Sequence, residues 1–200
     1  MNNKFLKTIL IIIVTASFIG VFFVMSIMDL LNTKDVYEVN IDVAGELLTV
    51  ENSINGIIPT GKDYYYVGLN SEGNIYTIHA GKKWLSDNFD ENGIANADSI
   101  TIKGLAKRAS DYEVEKEIAN RVYQVADESG YVLALEPGNV LELNYVSDAI
   151  IKLIAGILIL VLGIIIAIFK KSAEKFPTWA RKAILIFFIL TLAFALWAIL

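Results

Sequence analysis

The stretch that decides the plan of this chain is AIIKLIAGILILVLGIIIAIF, residues 149–169. It holds 21 residues and a single charge, Lys152, near its start. A helix of that length rises roughly 31 Å, about the thickness of the hydrocarbon core of a bilayer. Lys152 falls in the first turn, from which a long cationic side chain reaches the membrane interface. The stretch is therefore predicted to be a transmembrane helix.

Two further apolar runs flank it, residues 8–28 (TILIIIVTASFIGVFFVMSIM) and residues 183–200 (AILIFFILTLAFALWAIL). The first follows a basic start, as the core of a signal peptide does, but its 21 residues are too many for one and no A-x-A cleavage site follows. It is read as an uncleaved anchor. The second has 18 residues, just enough to span, with Trp179 before it and Trp197 near its end, where interfacial aromatic residues belong. The sequence thus predicts three transmembrane α-helices.

The distribution of charge predicts the orientation of these helices. Residues 29–148 contain 21 Asp or Glu and 9 Lys or Arg, a net charge of −12, whereas the rest of the chain contains 8 Lys or Arg and one acidic residue, Glu174. Cytoplasmic segments carry the excess of Lys and Arg. The basic N-terminus (residues 1–7) and the basic loop (residues 170–182) are therefore placed in the cytoplasm of a multi-pass cell-membrane protein. Residues 29–148 and the C-terminus are placed on the extracytoplasmic side.

Residues 29–148 are predicted to form one α+β domain with a mostly antiparallel sheet. Residues 35–43 (DVYEVNIDV) alternate apolar and polar, and residues 63–69 and 74–80 form a hairpin around the turn NSEG. Residues 110–113 (SDYE) are a capping box, so a helix is expected to start at Ser110 and to end before Gly130. The other predicted strands are residues 46–51, 99–107, 131–135 and 140–146, with a short helix at 82–89 and a loop at 52–62. A sharper prediction is a partly open barrel that resembles the oligonucleotide/oligosaccharide-binding (OB) fold.

Catalytic chemistry has little support in the sequence. The chain contains no Cys, so a disulfide, a thiolate nucleophile and a Cys-based metal site are excluded. His79 is the only histidine, and the sequence identifies no partner for it, so it is interpreted as an ordinary strand residue. No Asp, Glu, His or Arg lies inside an apolar run, which disfavours a transporter. The prediction is a protein that is not an enzyme and needs no cofactor.

Two groups of residues are candidates for ligand binding. Asn88, Asp90 and Asn92 place oxygen atoms at positions 1, 3 and 5 of a calcium-loop pattern, but position 12 is Ser99 instead of the required Glu. The default interpretation is a polar loop. The second group is aromatic and would form a possible ligand face, although strand alternation directs about half of such side chains to the core. Its members are Tyr64, Tyr66, Tyr76 and Trp84.

Small residues in the apolar runs predict helix packing. Small residues four or seven apart share one face of a helix and allow close approach of a neighbouring helix. These residues are Ala16, Gly20, Gly156, Gly163 and Ala167. The expected partners are the lipid bilayer and either a membrane protein or a second copy of the chain. The net charge of −12 on residues 29–148 argues against binding to nucleic acid.

The layout of the whole chain resembles that of small membrane proteins of Gram-positive bacteria. The resemblance is one of layout alone and transfers no functional residue. The preferred hypothesis is a membrane-anchored extracytoplasmic interaction or sensing module that acts with a membrane protein partner. The alternative is an extracytoplasmic protein that binds a small ligand, either an ion or a cell-wall glycan.

Overall fold

A computed structural model describes residues 20–54, 58–109, 111–172 and 177–199. The chain divides into two compact units. One is Asn32–Tyr145, which contains all of the strands, and the other combines Met1–Leu31 with Val146–Leu200.

The first unit is built around one seven-stranded sheet. Its strands are β1 (Val36–Ile41), β2 (Val43–Ile54), β3 (Ile58–Leu69), β4 (Asn74–Ala80), β5 (Ile100–Arg108), β6 (Val132–Leu133) and β7 (Asn139–Glu142). The strand order is β1-β5-β7-β4-β3-β2, and β6 pairs with β4. All pairings are antiparallel except those of β4 with β6 and with β7. The predicted α+β class with a mostly antiparallel sheet is confirmed.

The first two strands connect the two ends of the strand order. β1 and β2 form one run of chain interrupted only at Asp42, yet they lie at opposite ends of the strand order. The backbone N–H of Asp42 donates to Leu69 O at 2.9 Å, and Ala95 N–H donates to Asp42 O, also at 2.9 Å. A single segment therefore pairs with β5 through its first half and with β3 through its second half.

Two helices accompany the strands in this unit, α2 (Trp84–Asn88) and α3 (Tyr112–Ser129). The predicted cap of α3, Ser110, lies outside the described residues. The N-cap is Asp111, whose carboxylate accepts the backbone N–H groups of Glu113 and Val114. A short acidic side chain caps a helix as well as a hydroxyl does and also complements the helix dipole. Gly130 ends α3 in the left-handed conformation, with φ 71°, as predicted.

Strand alternation produces a core on each face of the sheet. The inner core includes Ile41, Ile78, Ile102 and Leu141, which are almost completely buried. The outer core joins Leu47, Tyr65 and Val140 of the sheet with Ile118 of α3. Successive strand residues point to opposite faces, so Tyr65 and its neighbour Tyr66 belong to different cores.

Two element predictions need correction. Residues 52–62, predicted as a loop, are mostly strand, and Glu51 pairs with Lys62 and Ser53 with Pro59. Asn and Gly signal a turn but do not show how far the flanking strands extend. Residues 55–57 between the two strands lie outside the described part of the chain.

The predicted strand at 140–146 is also too long. It ends at Glu142, and a helix starts at Tyr145, where Asp148 in the first turn favours the helix N-terminus.

The second unit is helical. It contains a π-helix (Gly20–Met25) followed by α1 (Ser26–Leu31), then α4 (Tyr145–Ser172, whose first residue closes the other unit) and α5 (Thr178–Ile199). Among the described residues, one helix is long and apolar enough to cross a membrane, Tyr145–Ile165. By the same criterion, the described parts of the other two predicted spans are shorter apolar helices, Gly20–Leu31 and Ile186–Ala195. Residues 8–19 of the first predicted span lie outside the described residues.

Packing in the helical unit involves all three of its apolar segments. Phe22, Ala155 and Ala195 form a buried cluster. Gly156 lies beside this cluster, and a Cβ built on it would come within 3.0 Å of Phe22 Cβ and of the Phe23 ring. A Cβ built on Gly163 would meet none of the described atoms within 4 Å. The two glycines of α4 therefore occupy different environments, one closely packed and one open.

This contrast generates a prediction about helix packing. Gly156→Leu should destabilise the helical unit by about 1–3 kcal/mol, because the new side chain must displace Phe22 and Phe23. Gly163→Leu is the matched control and should leave stability nearly unchanged. Thermal unfolding of the full chain in detergent, followed by circular dichroism, measures both. Equal losses in the two variants would show that the packing at Gly156 is not specific.

A second prediction concerns the loop that packs on β2. Ala44 N–H donates to Gly93 O at 2.8 Å, and Gly93 has φ 77°. A Cβ at Gly93 would overlap the carbonyl oxygen of Ala44, so Gly93→Ala should cost at least about 2 kcal/mol in unfolding free energy. Gly73 has φ 84° but open space around it, so Gly73→Ala should cost only about 1 kcal/mol. Denaturant unfolding of the two variants checks this order, and the reverse order would contradict it.

Candidate functional site

The register of the sheet assembles a polar cluster around His79. β4 lies between β3 and β7, and His79 pairs with Tyr65 on one side and with Glu142 on the other. Asp63 precedes Tyr65 by two residues and therefore points to the same face of β3. Asp63, His79 and Glu142 thus meet on the outer face of the sheet. We call these three residues the ionic cluster.

The two ring nitrogens of His79 face different carboxylates. Nδ1 lies 2.5 Å from Glu142 Oε2, a short hydrogen bond. Nε2 lies 3.6 Å from Asp63 Oδ1, which is an ion pair at a distance too long for a hydrogen bond. The side chains of His79, Glu142 and Asp63 are 24%, 14% and 35% exposed, respectively. Little solvent screens the attraction between them.

Two neighbours complete the cluster. The ring of Tyr65 stacks on the His79 ring, with centroids 4.8 Å apart and an angle of 21° between the planes. Asn52 Nδ2 donates to Asp63 Oδ2 at 2.8 Å. The second oxygen of Asp63 therefore also has a hydrogen-bond donor. The stacked Tyr65 ring restrains the plane of the His79 ring, and the two carboxylates contact its nitrogens.

The environment keeps His79 charged. Burial lowers the pKa of His79, but the contacts with Asp63 and Glu142 outweigh it and raise this pKa to about 9. The interaction with His79 lowers the pKa of Asp63, and burial opposes that effect only in part. Burial, followed by the nearby negative charges, raises the pKa of Tyr65 to about 12. At neutral pH the cluster therefore holds an imidazolium next to ionised Asp63, under a neutral tyrosine.

This geometry supports a structural role for the cluster. An imidazolium carries a proton on each ring nitrogen, so it has no free lone pair with which to act as a general base. The two carboxylates lie at opposite sides of the ring, where they do not converge on one ion. Within the described ranges, no group of three or more His, Asp or Glu side chains is arranged to hold a metal ion. The cluster joins three strands, β3, β4 and β7, through charged contacts.

The four residues of the predicted ligand face lie together, but largely within the fold. Tyr66 and Tyr76 are buried in the inner core, and Tyr64 and Trp84 are half-buried against it. The rings of Tyr66 and Trp84 have centroids 5.1 Å apart. The Tyr66 hydroxyl donates to the carbonyls of Gly81 and Lys82. These contacts give the aromatic group a packing role in the described structure.

The candidate calcium loop is held by its own hydrogen bonds. Asp90 Oδ1 accepts the backbone N–H of Ile94 at 2.8 Å and that of Asn92 at 2.9 Å. The hydrogen bond from Ile94 is the largest effect that lowers the pKa of Asp90. Asn88 Nδ2 donates to Trp84 O at 2.7 Å. The three predicted residues share one loop, and calcium binding there stays a prediction.

The residues predicted for helix packing fall into three groups. Gly156 lies beside Phe22 and Phe23, whereas Gly20 and Gly163 face open space. Ala16 and the side chain of Ala167 lie outside the part of the chain that the structure describes.

Helix α3 carries exposed features that the sequence analysis did not single out. Tyr112 and Tyr123 are 73% and 51% exposed, and Tyr131 and Val132 just after the helix are also exposed. An open groove of about 480 Å³ separates α3 from β2. Arg121 crosses it, donating from Nη1 to Leu47 O at 2.8 Å and pairing with Glu117 at 2.7 Å. The groove is lined by Glu46, Leu47, Glu117, Asn120, Arg121, Gln124, Val125 and Glu128.

Part of this site can be predicted from the sequence. The helical spacing of Val114, Ile118, Val122 and Val125 puts Tyr112 and Tyr123 outside the apolar stripe of α3. Strand alternation puts Asp63 and Tyr65 on one face of β3. The partnership of His79 with Glu142 had no local signal, because 63 residues separate the two.

Comparison with known proteins gives no relative. The chain matches no protein-family model, no similar curated protein and no solved structure.

The charge of His79 predicts a pH dependence of stability. Its pKa of about 9 in the folded protein exceeds the unfolded value of about 6.5, so the stabilisation is complete below about pH 6.5 and is lost as the pH rises through 9. The loss should be at most about 3 kcal/mol. Denaturant unfolding at pH 6.5 and pH 9.5 measures it, and His79→Gln should remove the dependence in this window.

The same pKa is directly observable. Because the chain has one histidine, ¹³C-labelled histidine gives a single imidazole signal in protein purified without a polyhistidine tag. A titration midpoint near 6.5 would contradict the proposed pairing of His79.

Proposed function

We propose that this chain is a membrane-anchored module that binds a membrane protein partner through its extracytoplasmic domain. Three transmembrane helices, at residues 8–28, 149–169 and 183–200, would anchor it. The distribution of Lys and Arg supports a cytoplasmic N-terminus and loop 170–182, with residues 29–148 and the C-terminus outside. The one described helix that is long enough to span, Tyr145–Ile165, supports the anchoring.

The observation that carries this proposal is the exposed aromatic surface of α3. Tyr112 and Tyr123 are eleven residues apart, about three helical turns, so they project from the same side of the helix. The α3 surface, as we call it, consists of Tyr112, Tyr123, Tyr131 and Val132. Tyrosine is enriched at protein interfaces because it buries a large rigid ring and keeps a hydroxyl for hydrogen bonding. Each of these exposed side chains offers apolar surface that a partner can bury.

The remaining candidate chemistry of the domain supports binding over catalysis. His79 is engaged at both nitrogens, and the predicted aromatic ligand face is half-buried or buried. The net charge of −12 on residues 29–148 favours a partner surface that is basic. It disfavours nucleic acid and the anionic membrane surface.

We also propose that the domain is a partly open barrel. The run of β1 and β2 lies at both ends of the strand order, which supports the predicted partly open barrel. The helix position is less favourable to an OB-like arrangement. Only the five-residue α2 follows β4, and the longer α3 lies between β5 and β6.

A ligand-binding alternative has one specific observation in its favour. The groove between α3 and β2 has a volume of about 480 Å³, in the range of small-molecule sites. Its carboxylates and amides, including Glu46, Asn120 and Glu128, offer hydrogen bonds to a glycan. The predicted aromatic ligand face is buried or half-buried, so the groove is a better location for ligand binding than that face.

Photo-crosslinking tests the partner hypothesis. A benzoylphenylalanine at position 123 should yield a discrete adduct in native membranes, and the same group at the exposed turn residue Ser71 should not. Tyr112→Ala in addition should reduce the adduct at least about fivefold, as expected for a residue contributing more than 1 kcal/mol to binding. Tyr112→Ala should change the free energy of unfolding by less than about 0.5 kcal/mol, because Tyr112 is exposed.

The identity of the adduct separates the outcomes. A second polypeptide of different sequence supports a heterologous partner, and a dimer of this chain indicates homo-oligomerisation. No adduct from position 123, or equal adducts from positions 123 and 71, would refute the α3 surface and leave the groove as the remaining candidate.

A further inference from the structure

A two-stranded arm extends from the sheet. The first pair that joins β3 to β4 is Tyr64 with Ala80, so residues 58–63 of β3 lie beyond this pairing. In the described part of the chain they pair only with residues 50–54 of β2. Ser53, Pro59 and Lys62 of this arm are exposed. Because a two-stranded ribbon is marginally stable in water by itself, the direction of the arm depends on how its base is attached.

The base of the arm is attached through the ionic cluster and through Val50, which pairs with Asp63 and packs against the outer core. Asp63 is the last arm residue before β3 joins β4, and its carboxylate contacts the arm through Asn52 and the sheet through His79. His79 in turn binds Glu142 of β7 at 2.5 Å. A continuous series of polar contacts, Asn52–Asp63–His79–Glu142, therefore runs from the arm into two strands of the sheet.

The arm has a second charged pair that offers an internal comparison. Glu51 and Lys62 lie opposite each other on its two strands and form an ion pair at 2.5 Å. Their side chains are 75% and 50% exposed. This pair connects the arm strands to each other, and neither residue belongs to the contact series that reaches His79.

We propose that the ionic cluster is a latch that fixes the direction of the arm relative to the sheet. The positive charge of His79 holds Asp63 and Glu142 together across the ring. Without that charge, two mostly buried carboxylates face each other with no counter-ion, and their repulsion and desolvation favour movement of Asp63 towards water. Asp63 carries the base of the arm with it, so the arm would turn about the junction at Tyr64. This device is independent of the partner proposed for α3.

Distance measurements between spin labels test the latch. The chain contains no Cys, so Ser53→Cys on the arm and Ser71→Cys on the β3–β4 turn introduce the only labelling sites. Strand geometry places the two positions at most roughly 40 Å apart, within reach of double electron–electron resonance. The full chain in nanodiscs should give one narrow distance peak. His79→Gln and Asp63→Asn should each lose that peak and give a broad distribution.

The variants are chosen to isolate the charge. Asp63→Asn removes the ion pair with His79 but keeps an oxygen that accepts the hydrogen bond from Asn52. Glu51→Gln weakens the exposed arm pair and should keep the narrow peak. A second pair of labels at Ser71 and Asp127, both off the arm, reports whether the sheet and α3 remain folded. If His79→Gln also broadens the Ser71–Asp127 distance distribution, the substitution has disturbed the fold. The Ser53–Ser71 distances in Asp63→Asn then provide the test.

Two results would overturn the proposal. Narrow Ser53–Ser71 distances in both His79→Gln and Asp63→Asn would show that the cluster does not direct the arm. Equal broadening in Glu51→Gln would show that the arm depends on its own strand pairing and not on the latch.

Discussion

The continuity of β1 and β2 is the constraint on which the domain depends. One run of chain, broken only at Asp42, pairs with strands at both ends of the strand order. Such a sheet cannot be flat, because its two outermost positions belong to the same segment. Curvature separates an inner face, lined by Ile41, Ile78 and Leu141, from an outer face that α3 covers. The inner core, the outer core and the location of His79 all follow from this path.

The elements that sequence predicts well are those specified locally. The β3–β4 hairpin has alternating strands and a four-residue turn, and α3 has an apolar stripe with Gly130 at its end, so each pattern lies within one short window. The parallel pairing of β4 with β7 is different. It joins residues about 60 positions apart, with α3 between them, and no local pattern specifies such a partner. The prediction of a loop at residues 52–62, which belong to the arm, fails for a related reason. Asn55, Gly56 and Pro59 indicate a turn but do not indicate how far the strands continue on either side.

His79 illustrates how the same limitation affects the interpretation of a site. Taken by itself, a lone histidine in a strand gives no reason to expect a raised pKa. The pairing of β4 with both β3 and β7 supplies two carboxylates that the chain places 16 residues before and 63 residues after it. The aromatic residues show the converse. Tyr64, Tyr66, Tyr76 and Trp84 looked like a binding surface because their clustering was visible, whereas their burial depends on the curvature of the sheet. Exposure on α3 is easier to predict from sequence, because helical periodicity alone separates Tyr123 from the core.

The contact of Arg121 with Leu47 has a consequence for the behaviour of this protein at high concentration. β2 is the terminal strand in the order, and Leu47 O is directed away from its partner β3. An unpaired carbonyl on a terminal strand is a template onto which another polypeptide can add. The guanidinium of Arg121 occupies that carbonyl, and the register shift between Glu46 and Leu48 interrupts the regular spacing of the edge. The arginine thus covers one hydrogen-bond acceptor at the edge of the sheet, where the strand of a neighbouring molecule could otherwise pair.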